Sequence, residues 1–130
     1  MLAPMPIACA HDQPYWDAAR ENRLLLQRGV LSGSFQSYPR AHSLHARNEP
    51  LEWIESPGLG TVHTFTIVRR SFYENLPAPF VLGVIDLDEG VRMTAHIVDV
   101  DLEAISIGAR VRAEFRSRGE GLPVLVFRPA

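Results

Sequence analysis

The sequence predicts a mainly β protein: a five-stranded closed barrel preceded by a short helix and a two-turn knuckle. Three observations carry that expectation. From Gly58 onward, β-rich segments alternate or run apolar between turn signals at regular spacing. Upstream, two tight turns, Gly29-Val30-Leu31-Ser32-Gly33 and Ser43-Leu44-His45-Ala46, are joined by an extended stretch at 35–40. Ahead of both, residues 11–22 form the only convincing helix of length. Asp12 is placed to cap it, Pro14 suits its first turn, and Trp16, Ala19 and Leu24 recur near helical spacing.

The opening residues 1–10 are apolar but short, broken by Pro4 and Pro6, and lack a basic start. They resemble neither a signal peptide nor a membrane span, and a mobile segment is expected. Cys9 lies there with no evident base beside it, which makes it a poor nucleophile. As the only cysteine it excludes an intrachain disulfide and suits a reducing cytoplasm. Tyr15 and Trp16 are large for so short a helix. Packing back on the domain is the favoured reading; presentation to a partner groove is the sharper one.

Residues 24–55 read as a metal knuckle stripped of its ligands. A zinc ribbon places a Cys-x-x-Cys pair in each turn, because four thiolates at tetrahedral geometry tie two hairpins together. The corresponding positions here are Gly29, Ser32, Ser43 and Ala46, and none supplies a thiolate. His42 and His45, without a thiolate or carboxylate pair, are better read as loop residues than as a replacement site. Losing the metal removes on the order of 10 kcal/mol of ligand-linked folding energy. Leu24, Leu25, Leu26, Leu31, Phe35, Tyr38, Leu44, Leu51 and Trp53 are expected to compensate by apolar packing, with help from a partner subunit.

The barrel strands follow in order. Residues 58–70 are rich in Thr, Val, Ile and Phe, with Gly58-Leu59-Gly60 as the corner that admits the chain. Residues 80–88 are nearly continuously apolar, and Asp88-Glu89-Gly90 makes a hairpin turn. Residues 91–99 put Val91, Met93, Ala95 and Ile97 on one face. A short helix is expected at 101–105, capped by Asp101. Residues 109–116 alternate again, and 123–128 supply the last strand. Five strands with a short helix between the third and fourth is the OB pattern. The divisions expected are 1–23, 24–55 and 56–130.

The segments P-Y-W-D-A-A-R-E-N-R-L-L-L-Q-R (14–28), S-Y-P-R (37–40), L-E-W (51–53), G-L-G-T-V-H-T-F-T-I-V (58–68), V-I-D-L-D-E-G-V-R-M (84–93) and I-G-A-R-V (107–111) add a further signal. In order and spacing they resemble the bacterial and archaeal zinc-ribbon plus OB-fold family, long labelled a domain of unknown function and associated with acyl-CoA metabolism. The resemblance covers roughly 12–130; the four ribbon cysteines are the departure. It implies an accessory subunit beside a thiolase-like enzyme or a hotdog-fold enoyl-CoA hydratase. In such pairs the OB module helps to form an acyl-CoA site while the catalytic residues lie mainly on the other chain.

The residues agree with that role. The 130 residues include 46% hydrophobic and 22% charged side chains, with a formal charge of −2. General attraction to phosphate backbones or membranes is therefore not expected. All 13 cationic residues are arginine, so lysine chemistry is excluded. No phosphate loop, nucleophile elbow or metal-protease helix is present. His63 and His96 lack a positioned carboxylate, and Asp86, Asp88, Glu89 and Asp99 read as turn residues. No catalytic residue, metal or resident cofactor is expected.

The segment 69–80 stands out as a contact surface, because OB folds use the loop after the first strand for ligand recognition. Arg69 and Arg70 offer charge-assisted forks for phosphate, while Phe72, Tyr73 and Phe80 offer apolar cover for an acyl or pantetheine chain. A lid packed over the barrel mouth is an equally weighted reading. The runner-up function is a single-stranded nucleic-acid binder using Arg92, Arg110, Arg112 and Arg116; negative net charge and scarce strand aromatics count against it. An independent enzyme has no activated group to rest on, and self-association stays open.

Overall fold

The computed structural model describes residues 1–130. The helix α1 (Gln13–Ala19) precedes a three-stranded antiparallel sheet of β1 (Leu24–Gly29), β2 (Phe35–Gln36) and β3 (Leu51–Ser56), in order β2-β1-β3. A closed barrel follows, of β4 (Leu59–Val68), β5 (Phe80–Leu87), β6 (Arg92–Ile97), β7 (Arg110–Arg116) and β8 (Val124–Pro129). Its order is β4-β5-β6-β8-β7, with β7 returning to β4. Only the β6–β8 pairing is parallel. This is the OB topology, and closure leaves the barrel without a free edge.

The alternation read from the sequence sets the barrel interior. Val91, Met93, Ala95 and Ile97 are all buried, and Val62, Val81, Ile85, Val111 and Phe127 meet them from the other strands. Tyr15, Leu24 and Leu26 belong to the same buried cluster, so one core runs from the barrel under β1 and α1. The corner at Gly58 needs glycine twice over: its φ is 72°, and a Cβ there would lie 2.8 Å from the Ala113 Cβ. The hairpin after β5 closes with Gly90 N–H donating to Leu87 O at 2.9 Å.

Two expected helices are shorter than the pattern suggested. The first spans only Gln13–Ala19, ended by Asn22 at φ 58°, whose side-chain oxygen accepts from Phe115 N–H at 2.9 Å. Asp12 does not cap it. Its carboxylate turns back to accept from Cys9 N–H at 2.6 Å. Residues 101–105 make a single turn, with Ala104 and Ile105 N–H both donating to Asp101 O. Five residues are too few for the ladder of i→i+4 bonds that repays nucleation. The opening segment is not free either: Ala3 is buried, and its N–H donates to Asn75 Oδ1 at 2.8 Å.

The largest correction concerns the knuckle. Apolar packing holds the base of the sheet, where Leu24 and Leu26 are buried and Phe35 and Trp53 pack on the core, but not the turns: Leu31 is 77% and Leu44 60% exposed. A polar interior holds those. Of the four buried polar or charged residues in the chain, Gln27, Gln36 and Glu49 lie here. Gln27 clamps the Arg40 peptide from both sides, accepting from its N–H at 2.9 Å and donating to its carbonyl at 2.8 Å. Gln36 donates to Gln27 Oε1 and His42 O and accepts from Leu44 N–H at 3.0 Å. The two amides thereby replace strand pairing along a stretch with no regular partner.

Glu49 ties the two turns together. Its Oε1 accepts from Leu31 N–H at 2.9 Å and from Ser32 N–H; its Oε2 accepts from the hydroxyls of Ser32 at 3.0 Å and Ser43 at 2.6 Å. These donors hold its carboxyl at about 2, below the usual 4.5. The Ser32 N–H contributes most, then the Ser43 hydroxyl, with desolvation opposing them and the Ser32 hydroxyl and Leu31 N–H adding to them. Because the folded value lies below the unfolded one, this stabilisation is complete above about pH 4.5 and is lost as pH falls through about 2. Amide exchange of Leu31, Ser32 and Ala46, corrected for intrinsic rate, should therefore accelerate relative to Val62 between about pH 6 and about pH 2.5. Equal behaviour of the two groups would remove Glu49 from that account.

Candidate functional site

A cavity of about 520 Å³ opens where four distant segments meet. Pro4, Met5 and Pro6 border it from the opening segment, and Tyr15 and Trp16 from α1. The strap leaving β2 contributes Ser37, Tyr38 and Pro39, while Met93, Thr94, Val124 and Leu125 form the barrel side. Volume and lining both suit the apolar part of a small molecule. Arg118 is the only cation in the wall and Asp12 the only carboxylate.

The strap is fixed to the barrel by polar contacts. Tyr38 Oη accepts from Thr94 N–H at 3.1 Å, and the Ser37 hydroxyl donates to Arg92 O at 3.3 Å. Helix α1 is fixed by aromatics, with Tyr15 edge-on to Trp16 at 4.9 Å and to Phe115 at 5.8 Å. Burial in this apolar contact pushes the Tyr15 hydroxyl well above its usual range, so it stays neutral. Tyr15 thus serves the core, and α1 lies on the domain rather than projecting from it. Trp16 is different. Its indole N–H is buried and makes no well-formed hydrogen bond, with the Asp12 carboxylate the one acceptor within its reach.

The 69–80 loop lies apart from this cavity. Phe72 is 84% exposed, and Arg69 and Arg70 are exposed without a carboxylate partner. Tyr73 is half-buried, its N–H donating to the Ser71 hydroxyl at 3.2 Å. The opening segment runs along the loop, with Glu74 N–H donating to Met1 O at 3.1 Å. Phe80 connects loop and cavity: it stacks on His96 at 4.8 Å, and His96 Nδ1 lies 3.5 Å from Arg118 Nη2. Partial burial, then the Arg118 charge, lowers the pKa of His96. Neutral His96 accepts from the guanidinium and helps to aim it.

No acid–base or nucleophilic set converges. Cys9 does have a histidine beside it, but Sγ stands 3.6 Å from His11 Nε2 and 3.7 Å from Nδ1. Near-equal distances place the sulfur beside the ring rather than on one nitrogen's lone pair, and both groups are exposed. His63 does find a carboxylate, Asp86, at 3.2 Å, but Arg92 already holds that carboxylate at 2.7 Å. The His45 Nε2 lies 3.0 Å from Phe35 O, where a ring nitrogen can only donate, so it is turned away from metal ligation. No group of three or more His, Cys, Asp or Glu side chains gathers as a metal site.

The arginine row of the barrel is largely neutralised. Arg92 pairs with Asp86, Arg110 forks onto Asp88 at 2.8 and 2.9 Å, and Arg116 pairs with Asp99 and Glu114. Arg112 alone of the four makes no ion pair. A strand-tracking cationic groove with stacking aromatics is therefore absent. Three of the acids that the sequence marked as turn residues, Asp86, Asp88 and Asp99, turn out to be counter-charges; Glu89 does not.

Sequence reading singled out Tyr15 and Trp16 but missed the rest of the cavity. Tyr38, Met93, Arg118 and Leu125 come from segments with no shared local pattern. No helix is long and apolar enough to cross a membrane.

Comparisons with known proteins agree with this architecture. Residues 53–116 match the family model for the C-terminal OB-fold domain of ChsH2. The chain is 27% identical over 130 residues to the probable enoyl-CoA hydratase alpha subunit of Thermomonospora curvata, covering 99% of this chain and 40% of that protein. It is 30% identical over 101 residues to the 3-oxo-4,17-pregnadiene-20-carboxyl-CoA hydratase alpha subunit of Mycobacterium tuberculosis, covering 78% and 32%. A DUF35 domain-containing scaffold protein of Methanothermobacter thermautotrophicus is 36% identical over 77 residues, 58% of each chain. The chain thus spans less than two thirds of these relatives' lengths. Among solved structures, the Ltp2-ChsH2(DUF35) aldolase superposes with a TM-score of 0.85 at 23% identity, covering 95% of this chain and 98% of that one. At that identity the likeness is one of fold.

Proposed function

We propose that this chain, which carries an OB-fold domain of the ChsH2 C-terminal family, is a non-catalytic accessory subunit that helps to form an acyl-CoA site on a thiolase-like or enoyl-CoA hydratase partner. One observation carries the reading: an apolar cavity whose wall holds a single cation, Arg118, and a buried Trp16 N–H that only the Asp12 carboxylate approaches. A fatty or pantetheine chain fills such a space. Its carbonyl would offer the indole an acceptor of better geometry than the Asp12 carboxylate, and its phosphates suit a guanidinium. The names of the relatives, hydratase alpha subunits and scaffold proteins, support the same role.

Docking surface is available outside the cavity. Val30, Leu31 and Leu44 expose apolar side chains on the two knuckle turns, and Phe72 does so on the long loop. Together with Arg69 and Arg70 they would face the partner enzyme, which supplies the reacting groups. Zinc has no part in this role.

Calorimetric titration with an acyl-CoA, in the presence of an acyl-CoA enzyme that co-purifies with this chain, tests the site. Trp16→Phe keeps an aromatic side chain, though a smaller one, and removes the N–H. It is expected to weaken binding by up to about tenfold, the worth of one neutral hydrogen bond. Arg118→Gln should weaken the CoA thioester more than an N-acetylcysteamine thioester, which lacks the phosphates. Unchanged affinities, or thioester turnover by this chain alone, would overturn the proposal.

A further inference from the structure

The ribbon architecture implies zinc between the two knuckle turns, and the residues there do not fit it. Gly29, Ser32, Ser43 and Ala46 offer neither sulfur nor imidazole. The space itself is filled. A Cβ built on Gly29 would fall 2.2 Å from Cδ and both carboxylate oxygens of Glu49, so the side chain that ought to reach inward from the first turn is excluded by a carboxylate already there. The polarity is also reversed. Two backbone N–H groups and two hydroxyls point at the Glu49 oxygens, which uses the four lone-pair positions a carboxylate offers. The hydroxyls relay further donors: the Ser32 oxygen accepts from Ser34 N–H, and the Ser43 oxygen from His45 and Ala46 N–H. Everything aimed at this point carries hydrogen, and that suits an anion.

We infer that the Glu49 carboxylate is the structural centre of the knuckle, an anion standing where the ribbon architecture sets a metal cation. It joins the same two turns, reaching Leu31 and Ser32 in the first and Ser43 in the second. Through the second turn it bears on the cavity: Leu44 N–H is held by Gln36, and Gln36 precedes the Ser37–Tyr38–Pro39 wall. The knuckle has exchanged a metal cross-link for one glutamate, which makes it independent of metal supply and of cysteine oxidation. This inference holds whether or not the cavity takes an acyl-CoA, since it concerns what keeps the knuckle folded.

Hydrogen exchange on the full chain tests it, with knuckle amides (Val30, Gly33, Leu44) read against barrel amides (Val62, Ala113). A strong chelator should leave wild-type protection unchanged in both sets. Glu49→Ala should accelerate the knuckle amides by about tenfold or more while the barrel set holds. Glu49→Gln should fall between, because its amide oxygen keeps the backbone donors and the Ser32 hydroxyl has a lone pair free for the new N–H, but the charge is gone. Should Glu49→Ala prove insoluble, the glutamine variant carries the same comparison. A third variant adds Gly29→Cys, Ser32→Cys, Ser43→Cys and Ala46→Cys to Glu49→Ala. It should retain about one zinc through dialysis and recover knuckle protection. Chelator-sensitive wild type, unaltered exchange in both Glu49 variants, or a four-cysteine variant that binds no zinc would each overturn the inference.

Discussion

Phe127→Ala is expected to cost about 3–5 kcal/mol of stability, the range for deleting a fully buried aromatic ring. Phe127 is 0% exposed and sits on β8, the strand that closes the barrel. It is paired with Ala113 of β7 on one side and with Ile97 of β6 on the other, and its carbonyl accepts from Val98 N–H at 2.7 Å. Removing the ring opens a void at the point where the only parallel pairing meets the antiparallel ones, a region that closure leaves little room to collapse. Total stabilities of about 5–15 kcal/mol make that a large share. Urea denaturation measures it, with Phe72→Ala as the control. Phe72 is exposed, and its truncation should stay within about 0.5 kcal/mol. A loss below about 1 kcal/mol for Phe127→Ala would mean that β8 does not seal the barrel.

The contrast between Phe127 and Phe72 also marks what the sequence made legible. Strand periodicity is local, and every barrel strand announced itself: Val91, Met93, Ala95 and Ile97 face inward as their spacing required. Helix punctuation was less reliable, because the Asp12 carboxylate had a second acceptor role open to it at Cys9 N–H. Within the knuckle the turns were readable and the force holding them was not. Leu31 and Leu44 looked like substitutes for the metal, yet turn tips point outward. The residues that substitute on the turns are Gln27, Gln36 and Glu49, polar side chains whose burial depends on contacts 6 to 18 residues away. Nothing in their neighbours marks them. The cavity was hidden for the same reason, since its wall comes from the opening segment, α1, the strap and two parts of the barrel.

Gly29→Ala gives the sharpest test of how tightly the knuckle is filled. The backbone itself would accept alanine, because Gly29 is not among the positive-φ residues. The obstacle is the methyl group, which would stand 2.2 Å from three Glu49 atoms. Ordinary contact needs more than an ångström beyond that, so the carboxylate must leave, taking with it the hydrogen bonds to Leu31, Ser32 and Ser43. The carboxylate is the end of a flexible side chain, so the cost is that of its lost hydrogen bonds, about 1–3 kcal/mol, and it should appear first as lost protection in the two turns. Collision and lost hydrogen bonding can be separated by a double-mutant cycle. In a Glu49→Ala background there is nothing left to collide with, and the added methyl group occupies part of the vacated space. Gly29→Ala should therefore cost far less there than in the wild type. Additive effects would show that the glycine and the glutamate do not share one site, and that the knuckle owes its closure to something other than the carboxylate between its turns.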